Sequence, residues 1–263
     1  FLLFGNLFRI EGVEKMKIIS FRHRGNDLCD IVTEDGKVYS LYEDVIIKYL
    51  ILTKREVSDR DLVMILEENK NYECYYEAIK RLSRRAETET SLTNFLKRKG
   101  FDDTQLEFAM EKLNRRGYLS DKSYASSYVN NKIAFSTWGK DKIRRELRQK
   151  GVSEDICDKA LESFNSNMEE DKIKKRAEKR ILANHSKSNL MLKKIIKTDL
   201  VSEGFSSALV DKVLDTISFL NEREIEEKTY NKLLSNYIRK YPKKEVEYRV
   251  KRKMRELGFE KYQ

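Results

Sequence analysis

Four segments of this chain end in the same way. In LTNFLKRKGF, IRRELRQKGV, IIKTDLVSEGF and VKRKMRELGF, two apolar residues four apart are followed, four residues later, by glycine and then by an apolar residue. They are Leu92, Leu96, Gly100 and Phe101; Ile143, Leu147, Gly151 and Val152; Ile196, Leu200, Gly204 and Phe205; and Val250, Met254, Gly258 and Phe259. The glycines stand 51, 53 and 54 residues apart, a near-constant period that marks tandem structural repeats. An apolar pair at i, i+4 buries one helix face. Glycine then ends the helix in the left-handed conformation that it alone adopts cheaply, and the following apolar residue folds back on the cap. Gly151→Val should therefore destabilise its repeat by roughly 1 kcal/mol or more. Gly139, which is outside the repeated caps, should be more tolerant.

The rest of each unit aligns on these caps. Asp102, Ser153 and Ser206 each lie two residues after a glycine and suit the N-cap of a following helix. That helix carries Ala109, Met110 and Leu113, then Ala160, Leu161 and Phe164, then Val213, Leu214 and Ile217. A further helix precedes each cap helix, for instance through Tyr124, Tyr128 and Ile133. The unit is thus three helices, with the fourth copy truncated after its second. Repeats are expected over 72–118, 119–168, 169–221 and 222–263, in an elongated, curved array whose units touch mainly their neighbours. One proline, Pro242, and ten glycines leave few breaks in a chain that is 37% charged and 40% hydrophobic. The fold class is mostly α.

Residues 16–71 read differently. MKIISFR and LCDIVT alternate apolar and polar residues, and Asp35-Gly36 supplies a hairpin turn before VYSLY. This is a small antiparallel sheet of two or three strands, packed on the helices that follow. Ser40-x-x-Glu43 resembles a capping box opening the helix EDVIIKYLI, and Ser58-x-x-Asp61 opens another through about Glu68. Met16 fits a natural start, so residues 1–15 are read as an extension or non-native leader and given no function. FLLFGNLF is too short to span a bilayer and lacks the basic flank of a signal peptide.

The sequence nominates no enzyme. No glycines have the GxGxxG or GxxxxGK[ST] spacing, and GxSxG and HExxH are absent. Catalytic and cofactor-binding residues are expected to be none. Cys29, Cys74 and Cys157 form no CxxC pair and lie far from His23 and His185, so no metal site is expected. Three unpaired cysteines fit reduced thiols in a cytoplasmic protein.

Charge points to a partner. The 54 Lys and Arg against 44 Asp and Glu give +10, which suits a polyanion. In the second repeat Lys140, Arg144 and Arg148 lie four apart beside the Ile143/Leu147 face, and Lys142 and Arg145 widen the stripe. Aligning Val250 with Ile143 places Lys251, Arg252 and Arg255 where Arg144, Arg145 and Arg148 stand. The first repeat keeps only Lys97 of the three and the third only Lys197. A cationic triple confined to two repeats favours a binding surface over a solubility surface, since arginine offers two-pronged contacts to phosphate or carboxylate. Trp138, at a helix junction, either wedges the unit together or stacks on a partner.

The stretch Gly117–Val152, GYLSDKSYASSYVNNKIAFSTWGKDKIRRELRQKGV, resembles the RecX family of recombination regulators. Gly117, Tyr118, Leu119, Asp121, Tyr124, Ala125, Tyr128, Gly139, Ile143, Leu147, Lys150, Gly151 and Val152 carry the match. GKVYSLYEDVIIKYLILTKREVSD resembles the sheet-to-helix entry of longer family members, so the likeness covers residues 16–263. In the third repeat Leu200-Val201-Ser202-Glu203-Gly204 replaces the Lys-Gly ending. The resemblance implies a non-catalytic, DNA-binding modulator of the RecA recombinase in DNA repair, homologous recombination and the SOS response. Such a protein lies along the RecA–single-stranded DNA filament and inhibits its ATPase, strand-exchange and co-protease activities. The partners implied are the RecA filament and single-stranded DNA, with weaker binding to double-stranded DNA, no membrane, and a monomeric protein. The filament-contact candidates are Lys140, Arg144, Arg145, Arg148, Lys251, Arg252, Arg255 and Trp138. Two other classes compete: a helical-repeat protein that binds DNA or RNA without a recombinase, and an interaction scaffold whose charge only keeps it soluble.

Overall fold

The computed structural model describes residues 15–25 and 27–262. It forms two compact units, with the boundary after Asp121. The leader expectation for residues 1–15 falls outside the described residues except at Lys15, which opens the first strand.

The first unit begins with an antiparallel sheet. Strands β1 (Lys15–Gly25), β2 (Leu28–Thr33) and β3 (Val38–Tyr42) follow the alternating segments, and Gly36 takes a positive φ of 81° in the β2–β3 turn. A fourth strand, β4 (Glu56–Ser58), pairs with Lys15–Lys17 and gives the order β3-β2-β1-β4. The two- or three-stranded expectation missed β4, which has only three residues and no alternating pattern. The expected helix EDVIIKYLI is also broken, into α1 (Glu43–Lys48) and α2 (Ile51–Lys54). Leu50 and Arg55 adopt left-handed φ values of 54° and 51°, which turn the chain so that Ile51 is buried and β4 reaches β1. Ser40 does not cap α1. It lies in β3 and donates to the Asp30 carboxylate at 2.6 Å, while Tyr42 occupies the N-cap without a side-chain bond.

Ser58 does cap α3 (Asp59–Leu82), accepting from the Asp61 amide. This helix runs well past Glu68, because no glycine or proline interrupts it and Tyr72, Tyr75 and Ala78 continue its buried face. Its second half serves as the leading helix of the first repeat. The helices α4 (Glu89–Arg98) and α5 (Asp103–Arg115) complete that repeat, with Leu92, Leu96, Ala109 and Leu113 fully buried. Asp102 and Gln105 form a reciprocal capping box at the start of α5.

The second unit holds α6 (Asp121–Phe135), α7 (Lys140–Gln149), α8 (Glu154–Leu161), α9 (Ser166–Leu182), α10 (Asn189–Ser202), α11 (Ser207–Leu214), α12 (Glu222–Ile238) and α13 (Lys243–Glu256). All four repeat glycines have positive φ, between 85° and 93°. Each cap closes the same way: the amide after the glycine donates to the carbonyl of Leu96, Leu147, Leu200 or Met254 at 3.1–3.4 Å. The acceptor always belongs to the second buried apolar residue, so cap hydrogen bond and core burial fall at one place. Ser206 caps α11 through the Leu209 amide, whereas Ser153 occupies the N-cap of α8 without a side-chain bond.

Gly139 overturns its expected tolerance. Its φ is not left-handed, at −85°, but its amide donates to the Glu203 carbonyl at 2.9 Å, and a Cβ built there would lie 2.3 Å from the Gly204 oxygen. The start of α7 therefore docks backbone to backbone on the cap of α10. The next junction repeats the geometry: Ser188, N-cap of α10, donates its amide to the Leu257 carbonyl at 3.1 Å, and a Cβ on Gly258 would meet Ser188 Oγ at 2.6 Å. In the second unit the cap of one repeat is thus the seat for the preceding one.

Candidate functional site

The cations singled out in α7 project from the face beside Ile143 and Leu147, both of which are fully buried. Most of them close on carboxylates of their own unit. Lys140 Nζ lies 3.2 Å from Glu169, and Lys142 Nζ 3.1 Å from Glu203. The Arg144 guanidinium contacts Asp158 at 2.9 Å and Asp141 at 3.2 Å, with Glu154 at 3.9 Å. Arg148 pairs with Glu154 at 3.1 Å. Arg145 differs: it is exposed and donates only to the Asp141 backbone carbonyl, at 3.3 Å.

Two of these pairs are built into the repeat. Arg144–Asp158 joins the second helix of its unit to the third, and Lys197–Asp211 does the same one repeat later at 2.6 Å. Arg148–Glu154 has its counterpart in Lys97–Asp103, at 3.0 Å. The acids that receive them stand seven and three residues after the cap glycine. That spacing is legible in the sequence, and it accounts for part of the cationic stripe as scaffold.

After α13 the described residues hold only a short 3-10 turn, Glu260–Tyr262, and the cations of α13 turn elsewhere. Lys251 pairs with Glu247 at 2.7 Å and Arg252 with Glu256 at 3.3 Å, both one turn away. Arg255 donates to the Tyr262 carbonyl at 2.7 Å and meets no carboxylate among the described residues. The two triples are therefore alike in sequence but not in charge compensation. Exposed pairs of this kind contribute about 0–1 kcal/mol each and exchange readily for an external anion.

Trp138 is half-buried, with Lys132 Nζ 4.0 Å and Lys142 Nζ 4.5 Å from its ring centre. Its indole is engaged by two ammonium groups of its own unit. The most exposed ring among the described residues is Phe135, 88% exposed at the end of α6. Sequence reasoning passed over it, and over the run DKIKKRAEKR in α9, where every lysine and arginine except Lys174 falls on one helix face. Three cysteines are buried and free, and burial pushes the Cys74 thiol up to about 12. Among the described residues there is no cluster of side chains suited to a metal, and no helix is long and apolar enough to cross a membrane.

A small N-terminal sheet leading into three-helix units, which in the second unit are joined cap to N-terminus, defines a helical-repeat protein. The family model for the second three-helix domain of RecX matches residues 120–161, the segment holding α6, α7 and α8. Regulatory protein RecX of Bacillus subtilis (strain 168) is 26% identical over 223 residues, 85% of this chain and 84% of that protein. The Listeria monocytogenes protein of the same name is 23% identical over 232 residues, 87% of this chain and 86% of that one. A crystal structure of regulatory protein RecX superposes with a TM-score of 0.68 at 24% identity, covering 76% of this chain and 99% of that chain. RecX from Lactobacillus salivarius gives a TM-score of 0.55 at 25% identity, over 57% and 99%. The chain thus carries a RecX-type three-helix unit at 120–161 and is similar to regulatory RecX proteins over most of its length.

Proposed function

We propose that this chain is a non-catalytic regulator that binds the RecA–single-stranded DNA filament in the cytoplasm and, as a monomer, inhibits RecA ATPase, strand exchange and co-protease activity. The observation that carries the reading is the RecX three-helix unit at 120–161, set within repeats that align with regulatory RecX proteins over most of their length. A repeat array suits a helical filament, because successive units can engage successive protomers and gain affinity by multivalency. Arg145 and Arg255 lead the contact set, since neither has a carboxylate partner among the described residues. Lys140, Arg144, Arg148, Lys251 and Arg252 would trade internal carboxylates for those of the filament or for phosphates. Trp138 supports the junction from which α7 starts.

The test is direct binding. Filaments are formed on single-stranded DNA with a non-hydrolysable ATP analogue, and the labelled protein is titrated against filament and against bare DNA. The reading expects tighter binding to the filament and a loss of affinity on Arg145→Glu/Arg255→Glu. Equal affinity for filament and bare DNA would favour a nucleic-acid-binding protein that needs no recombinase.

A further inference from the structure

Helix α9 of the second unit carries a cationic face that the pairing of neighbouring helices uses only in part. Lys172, Lys175, Arg176, Lys179 and Arg180 occur at i, i+3, i+4, i+7 and i+8 of α9 and so share one helix face. With Ser136 and Thr137 they line a groove of about 540 Å³. The opposite face, Ile173, Ala177 and Ile181, is buried and fixes the orientation of the helix.

Three of the five cations are held in place. Lys172 Nζ donates to the Ser136 carbonyl at 2.9 Å and the Lys132 carbonyl at 3.2 Å, at the C-terminal end of α6. Its burial pushes its pKa down. Arg180 pairs with Asp199 at 2.6 Å, and Arg176 lies 3.9 Å from Glu203. Lys175 and Lys179 are different. Both are exposed, they lie one turn apart, and neither has a hydrogen bond or ion pair among the described residues. Like charges at i, i+4 repel, so an anion seated between them relieves a local strain.

An exposed ring stands next in sequence to the groove lining. Lys172 ties the end of α6 to the groove, and α6 ends at Phe135, one residue before the Ser136–Thr137 lining. Phe135 is the most exposed large hydrophobic side chain among the described residues. A row of cations tracks a phosphate backbone, while a free aromatic face stacks on any base that is not already stacked in a duplex. An acidic protein surface would satisfy the lysines but leave the ring without a purpose.

We infer that the α9 groove and Phe135 form a binding site for single-stranded nucleic acid, with Lys175 and Lys179 on neighbouring phosphates and a base on the Phe135 ring. The site rests on the filament reading for its choice of ligand and deepens it by naming where the chain itself holds the strand.

Fluorescence anisotropy with a labelled oligo-dT, titrated across a range of salt, tests it on the full chain. Lys175→Ala/Lys179→Ala should flatten the log–log salt dependence by about 1.4, from about 0.7 per lost phosphate contact. Phe135→Ala should weaken binding about tenfold without changing the slope. Lys232→Ala/Lys244→Ala removes the same charge from exposed, unpartnered positions elsewhere in the unit and should keep the parent's slope. Circular dichroism spectra matching the parent exclude misfolding. The inference is overturned if the parent does not bind oligo-dT. It is equally overturned if the groove variants keep the parent's affinity and slope, or if the control pair flattens the slope as much. Filament binding, measured in parallel, separates the two claims. Groove variants that lose the filament but keep oligo-dT would assign the groove to an acidic protein surface, ending this inference and leaving the filament reading intact. Variants that lose oligo-dT and still bind the filament support the groove as a separate site.

Discussion

The two units use the same glycine cap in different ways. In the first, a Cβ added to the cap glycine Gly100 would meet nothing within 4 Å. Four cations there fold inward: Lys112 and Arg116 surround Asp44, and Arg81 and Arg85 close on Glu87. In the second unit Gly204 and Gly258 are seats for a neighbouring helix start, and α9 leaves two lysines open. The same cap therefore ends a helix in one place and also joins repeats in another. What distinguishes them is not the local sequence but what packs on the glycine.

The largest test of that contrast compares equivalent glycines. Gly204→Ala puts a Cβ 2.4 Å from the Lys142 amide nitrogen, at a φ of 90°. Backbone on both sides leaves nothing to yield, so the strain adds to overpacking and should cost about 3 kcal/mol or more. Gly100→Ala meets only the left-handed penalty, about 1 kcal/mol. Gly139→Ala, with no left-handed strain but a 2.3 Å approach, should fall nearer Gly204→Ala. Thermal or urea unfolding measures all three, and equal losses at Gly100 and Gly204 would break the comparison.

A smaller effect is expected in the first unit, and it depends on pH. Burial alone pushes the Asp44 carboxyl up, but hydrogen bonds from Tyr76 and Lys112 outweigh it, with the charges of Lys112 and Arg116, and hold it below its ordinary value. A depressed carboxyl contributes stability that is fully present above the unfolded pKa, about 4, and is lost as pH falls through the lower folded value. Asp44→Asn should cost about 1–2 kcal/mol at pH 7 through the lost charge-assisted bonds. The gap between parent and variant should close as the pH falls below about 4. Urea unfolding of both proteins at pH 7 and pH 3 checks this, and a gap independent of pH would refute the assigned cause.

The smallest effect concerns α7. Arg144→Ala removes contacts to Asp158 and Asp141 that are partly exposed, and should cost about 1 kcal/mol or less. Lys175→Ala/Lys179→Ala removes no contact and relieves a like-charge repulsion, so it should not lower the melting temperature. If the lysine pair destabilises more than Arg144→Ala, the division between scaffold cations and open cations is wrong.

Local chemistry made the scaffold legible. The left-handed caps at Gly100, Gly151, Gly204 and Gly258 were readable because one residue type is needed there, and the apolar pairs before them are buried. The strands β1, β2 and β3 followed from alternation and the Asp35-Gly36 turn. What stayed hidden depends on residues far away in the chain. Gly139 reads as an ordinary junction until Gly204 is seen against it, and β4 exists only because β1 offers a partner. Ser40 has the spacing of a cap, but strand pairing takes it into β3. At the candidate surface, the stripe on α7 was visible while its partners, on α8 and beyond, were not weighed. The α9 face was overlooked because lysine-rich helices are usually solvated surface.

The central claim is that the chain acts on RecA, and the ATPase of RecA on single-stranded DNA tests it most directly. With this protein titrated in, the account predicts inhibition well below one molecule per RecA protomer, and no effect on an unrelated DNA-dependent ATPase at the same concentrations. Inhibition that appears only when enough protein is present to coat the free DNA, and equally with the unrelated enzyme, would contradict it.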